Sequence, residues 1–328
     1  MPRFVTITVD TEEEWDWELG YPTRLPASVN NIAELPRLQD SCDRFGAAVT
    51  YFVNYAVLCD PTARRVVAEL AQRPNVEIGF HIHPWNTPPL DSREKVPPRE
   101  SFLHNLPWEL AQAKLETVWS AFQEMGLKPV SYRGGRYSTS PEIQRWLRER
   151  GFIADCSIVP FATWPDEGAP DYRSRDLRPR RHPPEEGFPA GFWELPLSFG
   201  VNRRRMRFWM SFLEGAAKAP WRWFRIVGIL DRLGWVRKSW LNLETPDGDR
   251  MLDFLKVLQR LDLPALCWTF HSSSLVVGGN PYATTGSNVQ TVWRRLEMAL
   301  QEMARRPEAF TWATSAQVAQ HLERTACE

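Results

Sequence analysis

Apolar residues along this chain fall into two alternating patterns. Short, near-continuous apolar runs occupy Phe4–Asp10, Ala47–Val53, Val76–His83, Val130–Arg133, Phe152–Ser157, Phe192–Pro196, Ala265–His271 and Ala309–Thr314. Runs of this length, apolar at consecutive positions, read as strands buried on both faces. Between them lie segments with helical spacing. About Trp108 to Met125, Leu115, Val118, Trp119 and Phe122 share one face, and Gly126 follows as a stop. A second helix opens with Ser140 as N-cap and Pro141 at the first helical position, and ends at Gly151. A third covers about Asp249–Leu261 and a fourth about Asn288–Arg305.

Strand alternating with helix predicts parallel strands joined by crossovers. The expected fold is an α/β, distorted parallel (β/α) barrel of seven or eight strands, formed by the whole chain, 1–328, as one domain. Polar residues sit at the C-terminal ends of the apolar runs: Asp10, His83, Arg133 and His271, with Asp155 near the end of another. In such barrels that rim carries the chemistry. Two segments break the pattern. Pro165–Pro189, rich in Pro, Arg, Asp and Glu, reads as a long loop over the rim. Arg203–Leu241 reads as a helical insertion, with ten Lys/Arg against two acids and five tryptophans. It is expected to pack on the barrel with a solvated basic face, and it is also a candidate peripheral contact for a membrane or protein partner.

Composition narrows the function classes. Forty Lys+Arg balance forty Asp+Glu, so no global charge calls for nucleic acid. Five scattered cysteines with no Cys-x-x-Cys argue against a disulfide framework and a cysteine zinc site. No signal peptide or membrane-spanning run is recognised, which makes the cytoplasm the expected location. Sixteen tryptophans are abundant; most are expected to fill the core, although flat aromatic faces also suit sugar rings.

The sharpest chemical signal is His81-Ile82-His83 at the end of an apolar run. Residues two apart on a strand share a face, so the two imidazoles are placed to chelate one metal ion. Thr8-Val9-Asp10-Thr11-Glu12-Glu13-Glu14 runs an apolar strand into a carboxylate cluster, whose charge a cation or solvent must absorb; a metal on the same rim would explain Asp10, still on the strand, while Glu14 is expected to be solvated. In Arg133-Gly134-Gly135-Arg136-Tyr137, Arg133 is a fork for a carboxylate and Tyr137 offers a ring or hydroxyl to a substrate. His271 ends another strand, and the serines after it lack a Gly-x-Ser-x-Gly elbow, which disfavours a serine hydrolase. A metal, a carboxylate and a rim histidine are the parts of metal-assisted amide or ester hydrolysis.

The order of these motifs resembles the polysaccharide deacetylase family (carbohydrate esterase family four, with the nodulation-type deacetylase homology domain), in its divergent surface-glycan-associated branch. Thr8-Val9-Asp10 is similar to the family's first motif, Gly79–His83 to its metal-histidine motif, Arg133–Tyr137 to its Arg–aromatic motif, Asp155–Ser157 to its groove-wall motif, and Phe270-His271 to its last. The resemblance implies removal of an N-acetyl or other acyl group from an amino-sugar glycan or its precursor, with a divalent metal, zinc first. It implies Asp10 as base, Arg133 as the partner that orients it, and His271 as acid. His81 and His83 would bind the metal, with Glu12 as third ligand or Asp10 in its place. Trp85, Tyr137 and Asp155 would bind the sugar. Two departures stand out: Thr11 occupies the family's metal-binding Asp position, and Trp85 the position of its usual second histidine, with His83 two residues earlier. The alternatives are a metal-free glycan-binding or assembly protein on the same fold, and a hydrolase of small non-peptide amides.

Overall fold

The computed structural model describes residues 3–182, 191–245, 248 and 250–327. Thirteen strands occur among them: β1 (Arg3–Thr11), β2 (Tyr21–Pro22), β3 (Val49–Val53), β4 (Val76–Ile82), β5 (Lys95–Val96), β6 (Ser131–Gly134), β7 (Ala154–Asp155), β8 (Arg180–His182), β9 (Phe192–Glu194), β10 (Phe199–Val201), β11 (Lys238–Trp240), β12 (Ala265–His271) and β13 (Phe310–Trp312). Nine form one curled sheet in the order β12-β1-β3-β4-β6-β7-β9-β8, with β13 also on β1. Only β8 runs antiparallel to its neighbour. This is the expected distorted parallel barrel. Strands β1 and β3 are buried along nearly their whole length, which is why their sequences are apolar at consecutive positions.

The curl does not close by a ladder between β12 and β9 among the described residues. The ends of the basic insertion fill that side instead. Strands β10 and β11 pair antiparallel, Thr269 N–H donates to Leu241 O (3.0 Å), and Cys267 N–H donates to Ser198 Oγ (2.9 Å). The body of the insertion is helical, at Met206–Ala216 and Ile226–Arg232.

Helices cover the outer face of the sheet. Pro141–Glu149 starts as expected, with Ser140 Oγ accepting from Ile143 N–H and Pro141 where an N–H would be wasted. The fourth predicted helix begins two residues early, at Gly286, because Thr285 and Asn288 form a reciprocal cap. The third is shorter, Met251–Leu258; its predicted start, Asp249, lies outside the described residues. Residues 183–189 of the predicted rim loop also lie outside them. No helix among the described residues is long and apolar enough to cross a membrane.

Candidate metal centre and active site

Parallel registry sets the site. Asp10 is the Cα partner of His271 across β1·β12, and His81 is the partner of Arg133 across β4·β6. Paired residues in a parallel sheet point to the same side, so four reactive side chains rise at one end of the barrel. Arg133 then crosses the interior. Its Nη1 donates to Asp10 Oδ1 (2.7 Å), Thr8 Oγ1 (2.9 Å) and Thr269 Oγ1 (3.1 Å), and its Nε donates to Cys156 O (3.1 Å). The guanidinium lies 4.5 Å from the centroid of the Phe52 ring. Burial is the largest single influence and acts against its charge, but Asp10 together with Cys267 and Cys156 holds Arg133 above its ordinary pKa.

Glu12, His81 and His83 form the one buried group of converging metal-donor atoms among the described residues. His81 Nδ1 donates to Arg133 O (2.7 Å). A carbonyl only accepts, so that nitrogen carries the proton and Nε2 keeps its lone pair. His83 Nδ1 likewise faces Glu13 Oε1 (2.8 Å), and Asn54 Nδ2 donates to the other Glu13 oxygen. The free edges meet: His81 Nε2 to His83 Nε2 is 3.1 Å, Glu12 Oε2 to His83 Nε2 is 3.1 Å, and Glu12 Oε2 to His81 Nε2 is 3.5 Å.

These residues fit a divalent ion. Donor atoms about 2.05 Å from a tetrahedral ion stand about 3.3 Å apart. Two facing nitrogens and a carboxylate at these spacings could hold one ion among them. Glu12 Oε1 is buried with no hydrogen-bond partner among the described residues. Each imidazole is already held by a carbonyl or carboxylate through its other nitrogen, the arrangement metal-binding histidines adopt. Burial pushes the Glu12 pKa up, but the His271 and His83 charges, with hydrogen bonds from His81 and His83, hold it well below the carboxylate range. Burial would lower His83, yet Glu13 and Glu12 raise it to about 10, so an ion at its Nε2 edge would have to displace a proton there.

Glu12, and not Thr11, joins the group of possible metal donors, for a local reason. Thr11 closes β1 on the opposite side from Asp10 and bonds Val9 O (3.1 Å). Glu12, two residues after Asp10, returns to Asp10's side.

His271 Nε2 is 4.0 Å from Asp10 Oδ2. Its Nδ1 lies 2.9 Å from Glu244 Oε2, and its backbone N–H donates to Glu244 Oε1 (2.8 Å). Burial works to lower His271, but Glu244, Glu12 and Asp10 raise it to about 10.

A cavity of about 310 Å³ opens over this group, lined by Asp10, Glu12, His81, His83 and His271 and walled mainly by aromatic rings. Tyr137 is on that wall, between Trp164 and Trp240 (centroids 6.5 and 6.1 Å). Trp85 reaches the cavity but is 1% exposed and stacks on His83 (4.1 Å, 22°), so it chiefly fixes that ring. Asp155 does not line the cavity; it is fully buried, accepting from Ser157 N–H, Thr139 Oγ1 and Gln144 Nε2. Glu14 is not the free surface carboxylate expected: it accepts from Ser28 Oγ and Asn31 N–H (2.5 Å each) and organises that loop. A larger cleft, about 780 Å³, lies beside the helix Pro141–Glu149 and holds no group of metal donors among the described residues.

Sequence reasoning did not single out Glu13, Glu244, Trp15 or Trp17. Trp15 packs on His83 (5.4 Å) and Trp17 edge-on to His271 (5.3 Å). Glu13 sat inside the carboxylate cluster, and His83 was the available signal for it. Nothing in the local sequence marks Glu244.

No protein-family model matches the sequence, and no curated protein matches it. Solved structures do. They share its fold: the chain is similar to a protein described as a putative polysaccharide deacetylase from Mycobacterium smegmatis, with TM-score 0.56 and 15% identity over 100% of this chain and 92% of that one. It is also similar to a 4-α-glucanotransferase from Thermococcus litoralis, with TM-score 0.52 and 11% identity over 98% of this chain and 40% of that one. A protein described as a putative polysaccharide deacetylase involved in O-antigen biosynthesis, from Bordetella bronchiseptica, aligns at TM-score 0.38 and 16% identity over 98% of this chain and 89% of that one.

Proposed function

We propose that this protein is a metal-dependent hydrolase that removes an N-acetyl or other acyl group from an amino-sugar glycan or glycan precursor. The fold alone does not select the reaction, since a glucanotransferase shares it. The observation that carries the reading is the meeting of Glu12, His81 and His83 beside two prepared proton carriers, Asp10 and His271. The likeness to the Mycobacterium smegmatis protein supports an acylated carbohydrate as substrate. The aromatic walls of the cavity support it too, because ring faces pack on the C–H faces of sugars.

Glu12 Oε2 and the Nε2 atoms of His81 and His83 would hold the ion. When bound, it lowers the pKa of a water and polarises the acyl carbonyl. Zinc accepts this donor set, as do iron, cobalt and manganese. Asp10 takes the proton of the attacking water, and Arg133, donating to Asp10 Oδ1, holds that carboxylate in place. His271, kept cationic by Glu244, gives a proton to the departing sugar nitrogen. The C–N bond breaks, and the acid and the free amine leave. Tyr137 lines the path of the sugar.

The test is release of acetate and free amine from N-acetylated glucosamine oligomers, set against a panel of small amides, by protein of measured metal content. Turnover that rises with metal occupancy and is lost in Asp10→Asn and His271→Ala is expected. Turnover of small amides only, or metal-loaded protein inert on every acylated sugar, overturns the reading.

A further inference from the structure

The helical insertion exposes a surface that the barrel does not use. Helix Met206–Ala216 buries Met206, Met210 and Leu213 on one side yet presents Phe208 (59% exposed) and Phe212 on the other. A helix apolar on both sides is suited to a second apolar environment. Beyond it, Trp221, Phe224, Leu233 and Trp235 are all more than half exposed, within one stretch of about 30 residues. Bulky apolar groups in such a cluster mark an interaction surface.

The charge on the same segment names the partner. Its two acids are already engaged, Glu214 with Lys218 (3.0 Å) and Arg173 (3.2 Å), and Asp231 with Arg237 (3.4 Å). Arg204, Arg205, Arg225 and Arg232 have no carboxylate partner among the described residues. Guanidinium groups interleaved with exposed Trp, Phe and Leu match an anionic lipid surface. There the rings sit at the boundary of headgroups and acyl chains while the cations stay with the phosphates. A soluble acidic protein would satisfy the charges but would leave so many flat rings to be buried by a specific pocket.

We propose that the insertion 203–241 seats this protein on the interfacial layer of an anionic membrane. The insertion also fills the open side of the barrel, so the test uses point changes at exposed positions of the full chain, not a deletion. Vesicles of phosphatidylcholine alone, and of phosphatidylcholine with phosphatidylglycerol, are sedimented with wild-type protein, with Trp221→Ser/Phe224→Ser/Trp235→Ser, and with Arg204→Glu/Arg205→Glu/Arg225→Glu. Wild-type protein is expected to partition onto the anionic vesicles, less so as salt rises, with a blue shift of tryptophan emission. Each triple variant should partition at least ~10-fold more weakly. Circular dichroism matching the wild type shows that the variants fold. The proposal is overturned if wild-type protein ignores anionic vesicles at low salt, if it binds neutral and anionic vesicles alike, or if either folded variant binds as well as wild type. It is also overturned if the wild type is a dimer in solution that the aromatic variant dissociates, because the face then belongs to a second copy.

Discussion

Asp10, Glu12 and Glu13 lie within four residues of one another and are each at most 4% exposed. Three carboxylates cannot be buried together unless each meets its own counter-charge. Strand geometry separates them: Asp10 faces Arg133, Glu12 faces the Nε2 edges of both histidines, and Glu13 faces the far edge of His83. Removing each should therefore do something different. Glu12→Gln should leave less than about a tenth of an equivalent of metal after dialysis and cost at least ~100-fold in kcat/KM. Glu13→Gln should keep the metal but hold it about 10–100-fold more weakly, because only the support of a ligand is lost. Titration with a competing chelator separates the two, and equal affinity in both variants would refute the assignment. His271 invites a pH experiment. Burial opposes its charge, and Glu244 is the largest influence raising it, to about 10. An acid catalyst works while protonated, so activity should fall on the alkaline side, at the His271 pKa. Glu244→Gln removes the raising charge, so the alkaline limb of kcat/KM should move to lower pH. An unmoved limb would mean that another group sets it.

The turn after β6 shows how an element positions the site. Arg136 and Tyr137 both have left-handed backbone (φ 54° and 61°), a conformation that costs non-glycine residues of order 1–3 kcal/mol each. That turn brings Tyr137 to the cavity wall and lets Arg136 Nη1 donate to Ser101 Oγ (2.7 Å). Gly135 is required by close approach: a Cβ there would lie 2.6 Å from His83 Cδ2 and 2.5 Å from Ile82 O. Gly135→Ala should push the His83 ring off its place and weaken metal binding by about tenfold or more, with unchanged far-UV circular dichroism. Calorimetric titration giving wild-type affinity would show that the ring tolerates the contact. The sequence made this element visible only in part. Strand ends carrying Asp10, His83, Arg133 and His271 were legible because buried parallel strands are apolar runs, and a polar residue at their end stands out. The helix Pro61–Leu70 was not, since its buried stripe is only Ala63, Val67 and Leu70. Strands β10 and β11 are three residues each and pair across about forty residues, which no local periodicity records. Glu244 reaches His271 only because Asn242 bridges to Thr269, a contact made by the folded chain alone.

At the scale of the whole molecule, the candidate metal centre ties together segments far apart in sequence. Glu12 follows β1, the histidines close β4, Arg133 of β6 holds His81 through its carbonyl, and His271 of β12 stands beside Asp10. An ion bound by Glu12, His81 and His83 therefore binds the folded barrel and finds no such site in the unfolded chain. Linkage then makes the ion a stabiliser, by about 2.7 kcal/mol at a free concentration one hundred times its Kd. With an unfolding entropy of about 2.1 cal/mol/K per residue, that gain raises Tm by roughly 4 °C for 328 residues. Chelator-treated protein should melt lower than metal-loaded protein by this order, and the difference should grow with the logarithm of free metal. The shift should vanish in Glu12→Gln, which lacks a ligand, and persist in His271→Ala, which lacks only the proposed acid. Scanning calorimetry of the three proteins across a metal series is the measurement. If the His271 variant lost the shift along with the Glu12 variant, the ion would be held by a different set of side chains. If wild-type protein loaded with metal melted no higher than stripped protein, the rim would not be a metal site, and the proposed hydrolysis would lose its activating ion.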